Sequence, residues 1–220
     1  METGELAREK PPWLKKKVSL NNKNIAAVKD LLKDLNLHTV CQSAKCPNIF
    51  ECFSKKTATF MLLGDKCTRN CAFCGVLSGK PLPPDKNEPK NIAKAAKELS
   101  LQYVVLTSVT RDDLNDGGAS HFAETVAQLK KIIPGVLIEC LVPDFEGRKD
   151  NLKILLDANP DVFNHNIETI KRNYFEIRNT ADYRRSLDLL GLSKKIRPDI
   201  ITKSGFMLGL GENSNEIENL

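Results

Sequence analysis

Six of the seven cysteines fall between Cys41 and Cys74, in two triplets whose spacing can seat metal. Cys67, Cys71 and Cys74 form C-x3-C-x2-C, within the run Cys67-Thr68-Arg69-Asn70-Cys71-Ala72-Phe73-Cys74. Three thiolates on one loop can hold three irons of a 4Fe-4S cube and leave the fourth iron open to a small molecule. Zinc, the other common tenant of clustered thiols, normally takes four ligands, often two C-x2-C pairs or one pair with histidines, and no second such pair exists here. Cys41, Cys46 and Cys52 make a second triplet, C-x4-C-x5-C, a less specific spacing by itself. Cys140 stands apart in the strand-like run Val136–Val142, where a small apolar side chain belongs in a core, and is no metal candidate.

Polar candidates gather where strand-like runs end. Asn166 and Glu168 are two residues apart, so in an extended chain they point the same way and can together hydrogen-bond a ribose diol. Ser108 and Arg111 follow the second strand-like run and can serve a ligand or merely stabilise their loop. His165 has no cysteine or histidine neighbour in sequence and reads as a packed, hydrogen-bonded histidine rather than a metal ligand. Arg178 carries a planar fork suited to a carboxylate, with an exposed helical arginine as the alternative. The glycines of Gly205-Phe206-Met207-Leu208-Gly209-Leu210-Gly211-Glu212 allow close backbone approach to a ligand.

The elements that must position these residues are legible from periodicity. Apolar residues Ile25, Val28, Leu31, Leu32 and Leu35 keep helical spacing, and Cys41–Cys52, with Pro47 inside and no sustained period, reads as a loop shaped by whatever the cysteines hold. Strand-like runs then alternate with helical ones. The strands are expected at Thr57–Leu63, Tyr103–Thr107, Val136–Val142, Val162–His165 and Ile200–Leu208, the helices at Ile92–Leu99, Phe122–Ile133, Leu152–Leu156 and Tyr183–Leu190. Such repeated βα units predict an α/β fold with a parallel sheet: a Cys-rich N-terminal cap over residues 1–56 and a partial βα barrel of about five strands over residues 57–220. In barrels of this kind the chemistry sits at the C-terminal ends of the strands, where Ser108–Gly118, Asn164–Glu168 and Gly209–Glu212 fall. Gly211 to Ser214 read as a loop and helix cap, and the sequence stops soon after, so a C-terminally truncated barrel is expected.

Composition narrows the classes. Hydrophobic residues at 41% and charged ones at 28% suit a soluble globular chain of 220 residues. No apolar run reaches the roughly 20 residues that span a bilayer. Met1–Lys17 lacks a secretory apolar segment, and Glu2, Glu5 and Glu9 argue against a mitochondrial presequence, so the expected location is the cytoplasm, where clustered thiols point to metal rather than disulfides. The net charge of +5 is spread over short runs without stacking aromatics, which argues against nucleic acid and leaves room for an acidic protein partner.

The Cys67–Cys74 motif, with an aromatic before its last cysteine and a strand before it, resembles the signature of the radical S-adenosylmethionine (SAM) superfamily. With the upstream triplet, and with the stretches Leu106–Leu114, Gly117-Gly118, Val142–Phe145 and Asn164–Thr169, the chain is similar to the lipoyl synthase family within it. That resemblance implies a radical SAM sulfurtransferase of lipoate biosynthesis that inserts two sulfurs, at the sixth and eighth carbons of an octanoyl group on a lipoyl carrier domain. It implies two 4Fe-4S clusters: one on Cys67, Cys71 and Cys74 that binds SAM, and an auxiliary one on Cys41, Cys46 and Cys52 that is consumed as sulfur donor. In the family a serine near the C-terminus completes the auxiliary site, and no such segment lies within this sequence. The resemblance further implies SAM contacts from Phe73, Ser108, Arg111, Asn166, Glu168 and Arg178, an electron donor such as ferredoxin or flavodoxin, and no residue acting as general acid or base. A core role for Phe73 is the alternative. The competing readings are another sulfur-inserting radical enzyme, similar to biotin synthase, and a zinc-binding interaction module.

Overall fold

A computed structural model describes residues 22–220; the expectations for Met1–Lys17 lie outside the described residues. Helix α1 (Lys23–Asp34) starts where the Asn22 side chain accepts the Asn24 N–H at 2.9 Å, and it buries Ile25, Val28 and Leu32 on one face. Strand β1 (His38–Thr39) leads directly into α2 (Val40–Ser43), followed by α3 (Ile49–Ser54). The Cys41–Cys52 segment is therefore not the irregular loop its sequence suggests. Thr39 starts α2 by accepting the Gln42 N–H, and Lys45 takes a left-handed φ of 51° in the turn between the helices.

The barrel portion alternates as expected. After β2 (Thr59–Leu62) come the two-residue strands β3 (Lys66–Cys67) and β4 (Leu77–Ser78), then α4 (Glu88–Glu98), β5 (Tyr103–Ser108), α5 (Ala119–Ile132), β6 (Leu137–Leu141), α6 (Lys149–Asp157) and β7 (Val162–Asn164). A short α7 (Tyr174–Ile177), α8 (Tyr183–Ile196), β8 (Ile201–Lys203) and α9 (Ser214–Glu218) complete the described chain. The main sheet runs β1-β2-β5-β6-β7-β8; β1 is antiparallel to β2, and the other five strands are all parallel. These are the five strands expected of a partial barrel. The fifth is shorter than its apolar run, because beyond Lys203 the glycine-rich segment leaves the ladder and touches it again only where Phe206 bridges Glu168.

Paired residues in neighbouring strands share a face. On one face Phe60, Leu62, Val104, Leu106, Ile138, Cys140 and Phe163 are sealed from solvent and form one core with the apolar sides of α4, α5, α6 and α8, including Ile92, Phe122, Val126, Leu155 and Leu189. Cys140 sits wholly inside this layer, and burial pushes its thiol far above the ordinary range, as expected of a structural cysteine. The opposite face carries Tyr103, Glu139, Asn164 and Lys203. Glu139 accepts hydrogen bonds from Tyr103 at 2.6 Å, Asn164 at 2.7 Å and Lys203 at 2.9 Å, so one buried carboxylate joins side chains from β5, β7 and β8 to β6. Burial alone would raise its pKa, but these bonds outweigh burial and hold it below the usual carboxylate range.

Candidate cluster and cofactor site

A cavity of about 350 Å³ opens at the C-terminal ends of the parallel strands. Cys67, Cys71 and Cys74 line it, together with Phe73. Ser108, Asn166, Glu168 and Arg178 line it as well. A larger depression, about 720 Å³, lies beside α9 against Arg172, Asn215 and Glu216, but it holds no cysteine and none of the buried polar atoms left without partners. The smaller cavity is the candidate site on chemical grounds.

Three features of the cavity call for a polar ligand. Ser108 Oγ and Arg178 Nε are buried with no hydrogen-bond partner, a costly state for a folded chain unless a ligand or water satisfies it. Glu168 has φ 69°, the left-handed region that a side chain with a Cβ rarely adopts, and it is pinned there by its own N–H to Gly205 O at 3.0 Å and by Met207 N–H to its carbonyl at 2.8 Å. Burial raises the Glu168 pKa, with Asn166 and Arg178 offsetting part of the effect. Arg178 donates to the carbonyl of Asn166 at 3.0 Å and packs over the Tyr174 ring, which ties it to the same strand end that carries Asn166 and Glu168.

The thiols suit a cluster. All seven cysteines are free, and among the described residues no three His, Cys, Asp or Glu side chains converge where a single ion could sit. A cube asks for something different, thiolates spread over separate corner irons. Cys67, Cys71 and Cys74 are near enough to influence one another electrostatically, as are Cys41, Cys46 and Cys52. Burial raises the Cys71 thiol and Arg178 opposes it; burial likewise raises Cys41, against a bond from the Thr59 backbone. The two triplets adjoin, since a Cβ on Gly75 would meet the Ala44 backbone at 3.2 Å, a tight contact that glycine avoids where the cluster loop approaches the end of α2.

Of the residues expected to contact a cofactor, the structure brings Phe73, Ser108, Asn166, Glu168 and Arg178 together and leaves Arg111 aside. Arg111 is 1% exposed, and its guanidinium is committed to Asp113 at 2.8 and 2.9 Å and to the Leu63 carbonyl at 3.3 Å. It braces the end of β2. His165 is also placed as expected: Nδ1 faces the Val142 carbonyl at 2.8 Å and therefore carries the proton, while Nε2 faces the Ser186 hydroxyl at 3.1 Å. Burial brings its pKa down to about 4, so the ring is neutral. Sequence reasoning missed Arg69, Asp112 and Asp144, which hold the cysteine loop: Arg69 donates to Asp112 at 2.7 and 2.8 Å and to Asp144 at 2.8 Å.

Residues 61–220 match the Radical SAM superfamily, and residues 1–46 match the N-terminal domain of lipoyl synthase of the Radical SAM family. This chain belongs to the lipoyl synthase family. It is 55% identical over 210 residues to lipoyl synthase of Caldicellulosiruptor saccharolyticus, covering 96% of the chain and 73% of that protein. It is 53% identical to lipoyl synthase of Caldanaerobacter subterraneus subsp. tengcongensis, covering 94% of the chain and 72% of that relative. Among solved structures, methylornithine synthase aligns over 91% of this chain and 62% of its own with a TM-score of 0.56 at 17% identity, a likeness of fold. Family membership fits the partial barrel and both cysteine triplets. No helix among the described residues is long and apolar enough to cross a membrane.

Proposed function

We propose that this chain converts a protein-bound octanoyl group to a lipoyl group by radical sulfur insertion, with Cys67, Cys71 and Cys74 holding a resident 4Fe-4S cluster. Cys41, Cys46 and Cys52 hold a second cluster, which serves as the sulfur-donating substrate. When bound, the resident cluster and SAM supply a carbon-centred radical able to take hydrogen from an unactivated C–H bond. The observation that carries this reading is the one cavity that gathers the C-x3-C-x2-C thiols with buried, unpartnered Ser108 Oγ and Arg178 Nε.

The chain's own part is to bind, orient and exclude water. Arg178, fixed by the Asn166 carbonyl and by Tyr174, presents positive charge beside Cys71, where the carboxylate of a bound amino acid moiety is best received. Asn166 and Glu168 together suit a ribose diol, and Phe73, 37% exposed between two cysteines, offers a flat apolar surface to a nucleobase. The neutral His165, bonded through both ring nitrogens, supplies no proton. Met61, Val109 and Leu141 give the cavity an apolar side suited to an alkyl chain. The partner is then an octanoylated carrier domain, the reductant a protein such as ferredoxin or flavodoxin, and the setting the cytoplasm.

Anaerobic reconstitution followed by iron, zinc and product analysis tests the reading. The expected outcome is roughly eight irons per chain and no zinc. Alanine at Cys67, Cys71 and Cys74 abolishes formation of 5′-deoxyadenosine, whereas alanine at Cys41, Cys46 and Cys52 preserves it and abolishes sulfur insertion. Zinc in place of iron, or a product from dethiobiotin and none from an octanoyl peptide, overturns the assignment.

A further inference from the structure

We propose that Arg69 is the positioning residue of the cluster loop: held between Asp112 and Asp144, it fixes Cys67 and Cys71 against the ends of β5 and β6, and so sets how firmly the loop retains a cluster and at what potential that cluster accepts an electron. The inference rests on the reading of Cys67, Cys71 and Cys74 as cluster ligands.

Arg69 is 6% exposed and Asp144 0%, an ion pair inside the protein. Replacing such a pair with apolar side chains of similar volume is often neutral or stabilising, so the pair is a poor device for stability alone. Its geometry suits position. Asp112 follows β5 and Asp144 follows β6, and Arg69 meets both, with Nε and one Nη on Asp112 and the same Nη on Asp144. Asp144 is itself held by Arg185 of α8 at 3.1 Å and by the Glu146 N–H at 3.1 Å, so the anchor cannot drift. Burial works against the Arg69 charge, but the two carboxylates outweigh it and raise its pKa further. Next to it Thr68 repeats the attachment, its N–H and hydroxyl both donating to the Thr110 carbonyl at 3.0 Å.

The consequence reaches sulfur. The Arg69 N–H lies 3.4 Å from Cys67 Sγ and the Thr110 N–H lies 3.3 Å from it, one donor from the loop and one from the segment after β5. Both donors reach the same sulfur only while the loop is seated on that segment. Hydrogen bonds to cluster sulfurs withdraw negative charge and raise the reduction potential. Arg69 does not line the cavity, so it acts through the cysteines rather than on a ligand.

The test uses a chain with Cys41, Cys46 and Cys52 replaced by alanine, so that only the barrel cluster is counted. Into it are placed R69K, R69Q, the charge-balanced pair R69Q/D144N, and D112N, which alters the half-exposed partner. Measured are melting of the cluster-free protein, loss of iron to a chelator, and the midpoint potential by electron paramagnetic resonance. For R69Q/D144N the expected result is a fold that melts like the parent, iron loss roughly 10- to 100-fold faster, and a more negative potential, with R69K between it and the parent. A folded pair variant with the parent's iron loss and potential overturns the proposal. If the pair variant does not fold, D112N decides by the same two readouts. A parent chain that takes up no cluster defeats the underlying ligand assignment instead.

Discussion

The loop of Cys67, Cys71 and Cys74 is tied at three points to distant parts of the chain: Thr68 to Thr110, Arg69 to Asp112 and Asp144, and Ala72 N–H to the Ile177 carbonyl at 2.9 Å. Cys41 and Cys52 ride instead on two helices of one or two turns, with Cys46 in the turn between them and local bonds such as Cys46 N–H to Cys41 O and Thr57 N–H to Cys52 O. Their ties to the rest of the protein include the short β1–β2 pairing, the Thr59 backbone bond to Cys41, Asn24 Nδ2 to Ser54 O at 2.8 Å, and the burial of Cys41 and Phe53 in the common core, with no buried ion pair among them. The first triplet is thus seated by more long-range side-chain bonds, and the second is expected to be the softer of the two. On the proposed function, the firm seat suits a cluster that passes electrons and holds SAM, and the softer one suits a cluster consumed as substrate.

Asp144→Ala is expected to do the most damage on the stiff side. It strips a wholly buried carboxylate from Arg69 and Arg185, and breaking a buried pair by removing one partner costs about 3–5 kcal/mol. Denaturant unfolding measures the loss. A change near zero would show that Asp112 alone satisfies the Arg69 charge and that the two triplets differ less than their bonds suggest.

Acid probes the same side through His165. Its folded pKa of about 4 lies below the ordinary value of 6.5, so the unfolded chain binds the extra proton first as the pH falls. The stability associated with the neutral ring is fully present above about pH 6.5 and is lost progressively toward pH 4, by on the order of 3 kcal/mol at 1.36 kcal/mol per unit. Melting of the cluster-free protein across that window should fall, and His165→Gln should flatten the dependence. A parallel decline in the variant assigns the acid sensitivity elsewhere.

The five strands were legible because each is a short apolar run bounded by turn residues, and the crossover helices because Phe122, Val126 and Leu129, or Leu152, Leu155 and Leu156, recur at helical spacing. The cap was not, since helices as short as Val40–Ser43 and Ile49–Ser54 carry too few turns for a period to show. One signal was available there: Thr39 three residues before Gln42 is a capping-box pattern. At the site, residue types and spacing found the thiols and the Asn166–Glu168 pair. They could not separate the two arginines, because Arg111 meets a carboxylate two residues away while Arg69 meets ones 43 and 75 residues away, a choice made only by packing.

The smallest expected effect falls on the soft side and tests the comparison most directly. Thr39 caps α2, with Gln42 N–H donating to its hydroxyl oxygen and the hydroxyl donating to Gln42 Oε1 at 2.9 Å, two residues before Cys41. Thr39→Ala removes a cap usually worth about 1 kcal/mol. If the cap region opens independently of the barrel, amide exchange should quicken for Val40 to Ala44 and iron should leave the upstream triplet sooner, while exchange in β5 and β6 and the barrel cluster are unchanged. Exchange that quickens equally in β2 and β5 would mean that the Gly75–Ala44 contact welds the two regions into one cooperative unit, and the difference in stiffness would then be local geometry without independent motion.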